Sequence, residues 1–407
     1  MPHDRLQQTL RAELAKLDNE GRRKGAETAI AGVVPAKDGK GPRYLIAGAG
    51  DKPFLRMNAN NYLGLSLQQV VIAAEDDGVR RFGTGPGAVR FIGGTWAPHL
   101  LLEQRLAKFH RRDAAIVFSS AYAAMMGTLP GLITPETAVI SDALNHNCII
   151  NAIRLARPKQ RFVYPHLDLA TLEQQLGEAA ASCTRAIIVT DGIFSMRGDH
   201  APLDAIAALG KKYDARFAEN VLLLVDDSHG VGAFGATGRG TEEVTGGIAD
   251  ILVGTLGKAF GVNGGYVTAS AAVIEYLRET SPFYVYSNPI APGEAGAAAA
   301  AVALVDSPTG REKLSHLHAM TKRFRDGLKR LKLETIAGVH PIVPLMVRDS
   351  ARTASLVKHL FDSGVLATGL NFPVVPRGDE EIRFQLCADH TPADIDEALA
   401  VLAAFHP

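Results

Sequence analysis

Residues 221–258 read VLLLVDDSHGVGAFGATGRGTEEVTGGIADILVGTLGK, and they contain two short apolar runs that are each followed by polar residues. The runs Val221–Val225 and Ile251–Val253 have the length of strands, and their unbroken apolar character predicts burial on both faces. The segment between them is long enough for a crossover, so we expect parallel strands. Open α/β sheets carry their functional groups at the carboxyl ends of such strands, where Asp226 and Lys258 lie here.

The same alternation of apolar runs and helical periodicity extends over residues 100–270. Leu203–Tyr213 is a clear example of the helical stretches between runs. We therefore predict an α/β fold around a mostly parallel, seven-stranded sheet. The five further strand candidates are Ala115–Phe118, Ala138–Ile140, Phe162–Tyr164, Ala186–Thr190 and Tyr266–Ala269.

Three parts of the chain are predicted from its composition and periodicity. Residues 1–58 contain an amphipathic helix over residues 5–25 and a connector with a small β-ribbon, and a helix of this kind often packs on a partner subunit. Residues 59–290 form the large domain, and residues 291–407 form a smaller α+β domain. The elements predicted in that last part are helices near Gly293–Val305 and Arg311–Leu328 and strands at Ile342–Val347 and Glu381–Leu386.

Composition excludes several classes of protein. Lys plus Arg and Asp plus Glu both total 43, so no excess of positive charge favours binding to nucleic acid. The three cysteines, Cys148, Cys183 and Cys387, form neither a disulfide framework nor a zinc-site spacing. No apolar stretch reaches the roughly 18–20 residues that span a membrane, and the N-terminus lacks the apolar core of a signal peptide. We expect a soluble protein of the reducing cytoplasm.

The first candidate for chemistry is the run Asp226-Asp227-Ser228-His229. An acid at the end of a buried strand is costly to desolvate unless it is paired. Asp226 could bind a metal together with His229, or it could pair with a protonated ring nitrogen of a cofactor. It could also simply cap the following turn. These alternatives stay open when the run is taken alone.

The second candidate is Lys258, which follows Thr255, Leu256 and Gly257. A lysine in a glycine-rich loop is more often a solvated surface charge than a nucleophile, because a nucleophilic lysine must lose its proton. Ala259 follows the lysine, so the run is not a Walker loop. However, pyridoxal phosphate requires a lysine for its aldehyde, an acid for its ring nitrogen and hydroxyls for its phosphate. Asp226, Lys258 and Thr255 together supply that set.

Six segments, in order along the chain, resemble the α-oxoamine synthases, which are fold-type-I pyridoxal phosphate enzymes. The resemblance covers roughly residues 55–400 and implies a fold-type-I transferase with pyridoxal 5'-phosphate as cofactor. The segments are Asn60–Leu65, Gly87–Thr95, Ser141–His146, Thr190–Met196, Asp226–His229 and Thr255–Lys258.

This resemblance implies roles for four residues in catalysis. Lys258 binds the cofactor aldehyde as a Schiff base and then abstracts the Cα proton of the substrate. Asp226 pairs with the pyridine N–H, which keeps the ring cationic and able to accept electrons. His229 hydrogen-bonds the ring oxygen and His146 stacks on the ring face. For His146 the alternative is a histidine that only satisfies a helix start.

Further residues are implied in cofactor binding. Ser195 is a ring-oxygen contact and Thr255 a phosphate contact. Ser120, Ala121 and Tyr122 follow a strand and open a helix, so their backbone N–H groups can bind the phosphate dianion. The resemblance also implies an aromatic side chain at the position of Tyr122.

The remaining implied residues involve a second subunit and the substrate. Ser287 and Asn288 would reach the cofactor phosphate of the partner, which makes the enzyme a homodimer with shared active sites. Arg383 would bind the substrate carboxylate, for which a planar bidentate donor is suited. Asn60 would contact the same region.

The implied reaction joins an amino acid to an acyl thioester to give a β-keto amino acid or an aminoketone. Within the family the resemblance is strongest to glycine C-acetyltransferase, also called 2-amino-3-ketobutyrate CoA ligase, which indicates glycine and acetyl-CoA. Trp96, Met125 and Met126 would make a more apolar wall, suited to a longer acyl-CoA or a carrier-protein thioester with alanine or serine, as in 8-amino-7-oxononanoate synthase or serine palmitoyltransferase. These three residues could equally be ordinary core residues. A fold-type-I aminotransferase is a further alternative.

Overall fold

The structure, a computed structural model, describes residues 3–20, 22–23, 27–372 and 374–406. Strands in these residues are numbered in chain order. They are β1 Ile30–Val34, β2 Arg43–Ile46, β3 Leu55–Arg56, β4 Ala114–Phe118, β5 Thr137–Asp142, β6 Gln160–Tyr164, β7 Arg185–Asp191, β8 Val221–Asp226, β9 Ile251–Thr255, β10 Gly265–Ala269, β11 Ile342–Met346, β12 Val365–Leu366, β13 Thr368–Leu370 and β14 Glu381–Gln385.

Helices are numbered in the same way. They are α1 Asp4–Asn19, α2 Gln69–Phe82, α3 Ala97–His110, α4 Ala121–Leu132, α5 Asn147–Ala156, α6 Leu169–Ala179, α7 Leu203–Tyr213, α8 Thr241–Thr245, α9 Ala271–Thr280, α10 Pro282–Val285, α11 Pro292–Val305, α12 Pro308–Arg330, α13 Ser350–Asp362 and α14 Pro392–Ala403. Among the described residues, none of these helices is both long and apolar enough to cross a membrane.

The central sheet has seven strands in the order β4-β10-β9-β8-β7-β5-β6. Strand β10 runs antiparallel to its neighbours β4 and β9, whereas β5, β6, β7, β8 and β9 pair in parallel. All seven predicted strands are present, and the prediction of a mostly parallel sheet in a fold-type-I transferase is confirmed. Most of the apolar runs are the buried part of their strands, because helices cover both faces of a parallel sheet. The run in the edge strand β6 differs, since Val163 is 48% exposed.

The chain divides into two compact units. The larger unit contains Asn60–Ala319 and Gly338–Pro341, and it includes the whole seven-stranded sheet. Helix α11 lies in this unit, where it packs against α2 and α3. An alanine-rich helix with buried residues around its circumference is suited to such close packing. The predicted three-part division at residues 58 and 290 stays a prediction.

The smaller unit consists of Met1–Ala59, Met320–Ala337 and Ile342–Pro407. Its three-stranded antiparallel sheet has the order β11-β14-β13, and β12 pairs in parallel with β3. The two strands predicted from sequence in this region are β11 and β14. The expected small β-ribbon is also present, since β1 and β2 pair antiparallel.

Helix α1 ends at Asn19, and part of the predicted helical range 5–25 lies outside the described residues. No residue of this helix is buried. The predicted apolar stripe is Leu6, Leu10, Leu14 and Leu17; the first three are each between 43% and 56% exposed, and Leu17 is half-buried.

Candidate active site

One cavity in the larger unit lies at the carboxyl ends of the parallel strands. It is bounded by the first turn of α4, the start of α5, the ends of β7 and β8, and the loop after β9. The lining residues are Ala121, Tyr122, His146, Cys148, Asp191, Ile193, Ser195, Asp226, Ser228, His229 and Lys258. Seven of the residues predicted from sequence are therefore brought together.

Asp226 is the last residue of β8 and is buried, with 5% of its surface exposed. Its Oδ1 accepts a hydrogen bond from Ser228 N at 3.1 Å. Its Oδ2 accepts from the Cys148 thiol, with 3.5 Å between sulfur and oxygen. These two hydrogen bonds hold the carboxylate at the cavity wall. Its oxygens can still accept a further hydrogen bond from a charged donor.

Lys258 lies in the loop between β9 and β10 and lines the same cavity. The loop is fixed on both sides of the lysine. Gly261 N donates to Lys258 O at 3.0 Å, and Thr255 Oγ1 accepts from Gly257 N at 3.1 Å. The predicted pair of an acid at one strand end and a lysine after the next strand therefore meets in one cavity.

His146 is the N-cap of α5, and its ring Nδ1 accepts from Cys148 N at 3.2 Å. A ring nitrogen that accepts a hydrogen bond carries no proton, so the single proton of the neutral ring is on Nε2. Burial lowers the pKa of His146, and the Lys258 ammonium lowers it further against the opposing charge of Asp226. His146 both caps a helix and lines the cavity, as a neutral ring.

His229 is positioned by two hydrogen bonds. The hydroxyl of Tyr62, which is completely buried, lies 2.7 Å from Nδ1 of His229. His340 Nε2 lies 2.9 Å from the backbone oxygen of His229 and donates to it. Tyr62, in the segment Asn60–Leu65, therefore contacts the site through His229.

The N-terminus of α4 supplies backbone N–H groups. Ser120, its N-cap, accepts from Ala123 N at 3.1 Å, which leaves the N–H groups of Ala121 and Tyr122 without partners inside the helix. Gly265 on β10 lies against this turn, since a Cβ there would fall 2.1 Å from Ala121 N. Such a turn binds a phosphate dianion well.

Six predicted site residues do not line this cavity, and one of them is Ser120, the N-cap of α4. Thr255 is buried, and its hydroxyl donates to Gly264 O at 3.3 Å. Ser287 and Asn288 follow α10, and Asn288 is exposed. Asn60 Oδ1 accepts from the Tyr62 hydroxyl at 3.4 Å. Arg383 is on β14 in the smaller unit. The roles of these residues stay predictions.

Cys148, Asp191, Ile193 and Ser228 line the cavity but were not predicted as site residues. Neither was Tyr62, which contacts His229. Asp191 pairs in register with Asp226 across β7 and β8, and it accepts from His146 N at 3.1 Å through Oδ2. Burial and the charge of Asp226 raise the pKa of Asp191 well above its ordinary value. Cys148 links His146 and Asp226, and Tyr62 positions His229. Asp191 and Tyr62 stand in segments that carry the family resemblance, which was the available signal.

Asp227 follows Asp226 but has a different environment. It is completely buried, and its two oxygens accept from the backbone N and the hydroxyl of Thr241, both at 2.7 Å. Gly240 has φ +85°, and a Cβ there would lie 1.9 Å from Asp227 Oδ2. Burial raises the pKa of Asp227 to about 7 against the opposing hydrogen bonds from Thr241. Asp227 therefore braces the loop that carries His229.

We expect the stability contribution of Asp227 to depend on pH. Because its folded-state pKa lies above its unfolded-state value, this contribution is present below about pH 4 and is lost as pH rises through about 7. Asp227→Asn keeps both hydrogen bonds to Thr241 without the charge. Relative to the variant, wild type should lose about 2–4 kcal/mol of unfolding free energy between pH 4.5 and 8, measured by denaturant titration. Parallel pH profiles would contradict this account.

The residues of the cavity fit pyridoxal phosphate. Lys258 offers a primary amine, Asp226 offers a buried acid, and the first turn of α4 offers N–H groups for a phosphate. The described geometry places all three on the walls of a single cavity, as the cofactor requires.

Comparison with known proteins agrees with this fit. The family model for aminotransferase class I and II matches residues 52–402. An 8-amino-7-oxononanoate synthase of Thermosipho melanesiensis is 39% identical over 86% of this chain and 87% of its own length. The mitochondrial 2-amino-3-ketobutyrate coenzyme A ligase of Homo sapiens is 38% identical over 90% of this chain and 86% of its own. The chain belongs to the α-oxoamine synthases, within the aminotransferase class I and II family.

Solved structures of α-oxoamine synthases extend the agreement to the fold. A serine palmitoyltransferase of Sphingomonas wittichii has a TM-score of 0.87 at 27% identity, covering 99% of this chain and 96% of its own. A structure of SPT with PLP has a TM-score of 0.84 at 28% identity, covering 99% and 97%. The protein is a pyridoxal phosphate-dependent acyltransferase of this family, as its motifs predict.

The residues that suggested an apolar acyl wall do not line the cavity described above. The Trp96 indole N–H donates to Pro86 O at 3.1 Å, and its ring packs at 5.8 Å from that of Phe82. Met125 is completely buried in the hydrophobic core, and Met126 packs against that core. For the two methionines the alternative of ordinary core residues is the better interpretation.

Proposed function

We propose that this α-oxoamine synthase condenses glycine with acetyl-CoA to a β-keto amino acid or aminoketone. The observation that carries the proposal is that Lys258, Asp226, His146 and His229 line one cavity at the strand ends. The finer choice of substrates is supported by the similarity to 2-amino-3-ketobutyrate coenzyme A ligase and by the packing of the two methionines in the core.

Lys258 and Asp226 perform the central steps. When bound, pyridoxal phosphate supplies an electron sink that makes the Cα–H bond of an amino acid acidic. Lys258 Nζ would hold the cofactor aldehyde and, once the amino acid has replaced it there, would accept the Cα proton. The Asp226 carboxylate holds a proton at the pyridine nitrogen, and its burial makes that charge interaction strong.

The other cavity residues orient the reacting groups. His229, fixed by Tyr62, and Ser195 donate to the ring oxygen. The backbone N–H groups of Ala121 and Tyr122 bind the phosphate. His146 would cover the ring face, and its neutral state would avoid placing a second positive charge against a cationic ring.

The proposal includes a homodimer with shared active sites. Ser287 is half-buried and Asn288 is exposed, so both are accessible to a second copy, whose cofactor phosphate they would contact. Thr255 would contact the cofactor phosphate of its own subunit. The exposed leucines of α1 offer an apolar stripe for the same partner. Arg383 and Asn60 would bind the substrate carboxylate, for which a guanidinium is suited.

A second candidate keeps the mechanism and changes the substrates. Relatives named 8-amino-7-oxononanoate synthase reach 41% identity over 90% of this chain, as in Geobacter metallireducens. This similarity favours alanine, or serine, with a longer acyl-CoA or a carrier-protein thioester to the same degree as glycine with acetyl-CoA. An aminotransferase would use no thioester at all.

A substrate panel separates these candidates. Purified holoenzyme is given glycine, alanine or serine with acetyl-CoA or longer acyl-CoA thioesters, and thiol release is followed with a thiol reagent. Glycine with acetyl-CoA should give the highest kcat/KM. A highest value for alanine or serine with a longer chain would transfer the assignment to the second candidate. Keto-acid formation without thiol release would contradict acyl transfer.

A further inference from the structure

His166 lies outside the cavity, between two carboxylates. It follows β6, and its Nδ1 lies 3.1 Å from Asp142 Oδ1 while its Nε2 lies 3.3 Å from Asp199 Oδ2. Only the protonated ring has N–H groups at both nitrogens, so the double contact is that of an imidazolium. Burial alone would lower the pKa of His166, but the two carboxylates outweigh it and raise the pKa to about 9.

One of these carboxylates is fixed to the sheet. Asp142 is the last residue of β5 and is buried. Its Oδ1 accepts from Leu144 N at 2.8 Å and its Oδ2 accepts from Leu167 N at 2.9 Å. Asp142 is therefore a rigid anchor for the cation beside it.

The other carboxylate belongs to a loop that reaches the cavity. We call residues Gly192–Ala201 the Ser195 hairpin. It is closed by hydrogen bonds from Ala201 N to Gly192 O and from Phe194 N to Asp199 O, at 2.9 and 3.0 Å. Ser195 of this hairpin lines the cavity together with Ile193.

His166 also contacts the hairpin through its ring, whose centroid lies 4.4 Å from that of Phe194 in an edge-to-face arrangement. Asp199 Oδ2 further accepts from Arg197 Nε at 2.7 Å. Asp168 is the acid nearest to His166 in sequence, but it does not face the ring. Its carboxylate lies at the N-terminus of α6, where it accepts from Ala170 N and Thr171 N. The charged groups that face His166 are thus Asp142, Asp199 and, beside Asp199, Arg197.

We propose that His166 is a positioning residue, whose imidazolium fastens the Ser195 hairpin to Asp142 and so fixes Ser195 in the cofactor cavity. A cation between an anchored anion and a loop anion joins two segments that are not adjacent in sequence. Loss of its proton removes one of the two N–H donors, so the ring can no longer donate to Asp142 and Asp199 at the same time. The inference rests on the proposed contact of Ser195 with the cofactor.

Limited proteolysis of the holoenzyme tests the fastening directly, because Arg197 is a trypsin site inside the hairpin. We compare wild type, His166→Gln and Asp199→Asn, with His200→Gln as the matched control. His200 is in the same hairpin, but its ring packs at 5.5 Å from Phe234 rather than between acids. Cleavage after Arg197 is normalised to cleavage of an unstructured peptide at each pH, with the exposed Arg23 as an internal reference.

Wild type should be cleaved slowly after Arg197 at pH 7.5 and roughly tenfold faster at pH 9.5, because the neutral fraction of His166 grows as pH passes its pKa. His166→Gln should be cleaved rapidly and equally at both pH values, and Asp199→Asn should behave likewise. His200→Gln should follow wild type. Protection of His166→Gln equal to wild type, or a flat wild-type profile, would overturn the proposal.

Cofactor retention separates this inference from the function on which it rests. After dialysis, His166→Gln should retain several-fold less pyridoxal phosphate than wild type, and Ser195→Ala should show a similar loss. If the hairpin opens in His166→Gln while Ser195→Ala retains the cofactor fully, the fastening stands and the proposed role of Ser195 fails. If neither variant is cleaved faster nor loses cofactor, His166 is only a stabilising ion pair.

Discussion

Lys258→Ala should abolish thiol release, with a loss of at least about 10³-fold in kcat, as expected when a general base is removed. Lys258 lines the same cavity as Asp226. In the proposed mechanism its removal takes away both the covalent attachment of the cofactor and the acceptor for the Cα proton. The purified variant should also lose the yellow colour of the lysine-bound cofactor. Steady-state kinetics and the visible absorption spectrum measure the two effects independently.

Lys159→Ala is the matched control for this variant, because Lys159 is a surface lysine that pairs with Glu136. It should keep the activity and the colour of wild type. A small primary amine added to Lys258→Ala should restore part of the rate, which shows that the protein is folded and lacks only the base. If Lys258→Ala retained thiol release within tenfold of wild type, the assigned mechanism would be wrong.

The strands and their functional ends were predictable because the signal is local. An unbroken apolar run such as Val221–Val225 predicts a buried strand by itself, and the polar residue that follows the run marks the carboxyl end of that strand. Parallel strands place those ends at one edge, so Asp226 and Lys258 could be expected to meet before any coordinates were considered. The structure brings both to one cavity.

The contacts that hold these residues were not predictable, because they depend on strand order and on distant loops. Asp191 became a neighbour of Asp226 only because β7 lies beside β8. His166 meets Asp142 and Asp199, which are 24 and 33 residues away in sequence. No periodicity relates such positions.

The packing of a side chain can distinguish between two roles that the sequence allows equally. Met125 could have been an acyl-chain contact or a core residue, and its side chain is enclosed by the hydrophobic core behind α4 and the sheet. The roles proposed for Ser287 and Asn288 depend on a second chain, which a single sequence cannot place.

Asp226→Asn should retain the fold and bind pyridoxal phosphate but lose about 10²–10³-fold in kcat, the usual cost of removing a preorganised electrostatic partner. The amide has the shape of the carboxylate and can accept from Ser228 N, yet it has no charge to hold a proton at the pyridine nitrogen. Without that proton the pyridine ring withdraws electrons less strongly, so removal of the Cα proton becomes slower. A deuterium isotope effect on thiol release, measured with Cα-deuterated glycine, should therefore be larger than in wild type.

Asp227→Asn provides the control for Asp226→Asn, since it is the same substitution at the adjacent buried acid. Asp227 directs both oxygens to Thr241 and does not line the cavity. Its variant should keep kcat within a few-fold while changing the pH dependence of stability. The two neighbours thus separate charge used in chemistry from charge used in folding. Equal losses of kcat in both variants would mean that Asp226 acts through the loop rather than on the cofactor.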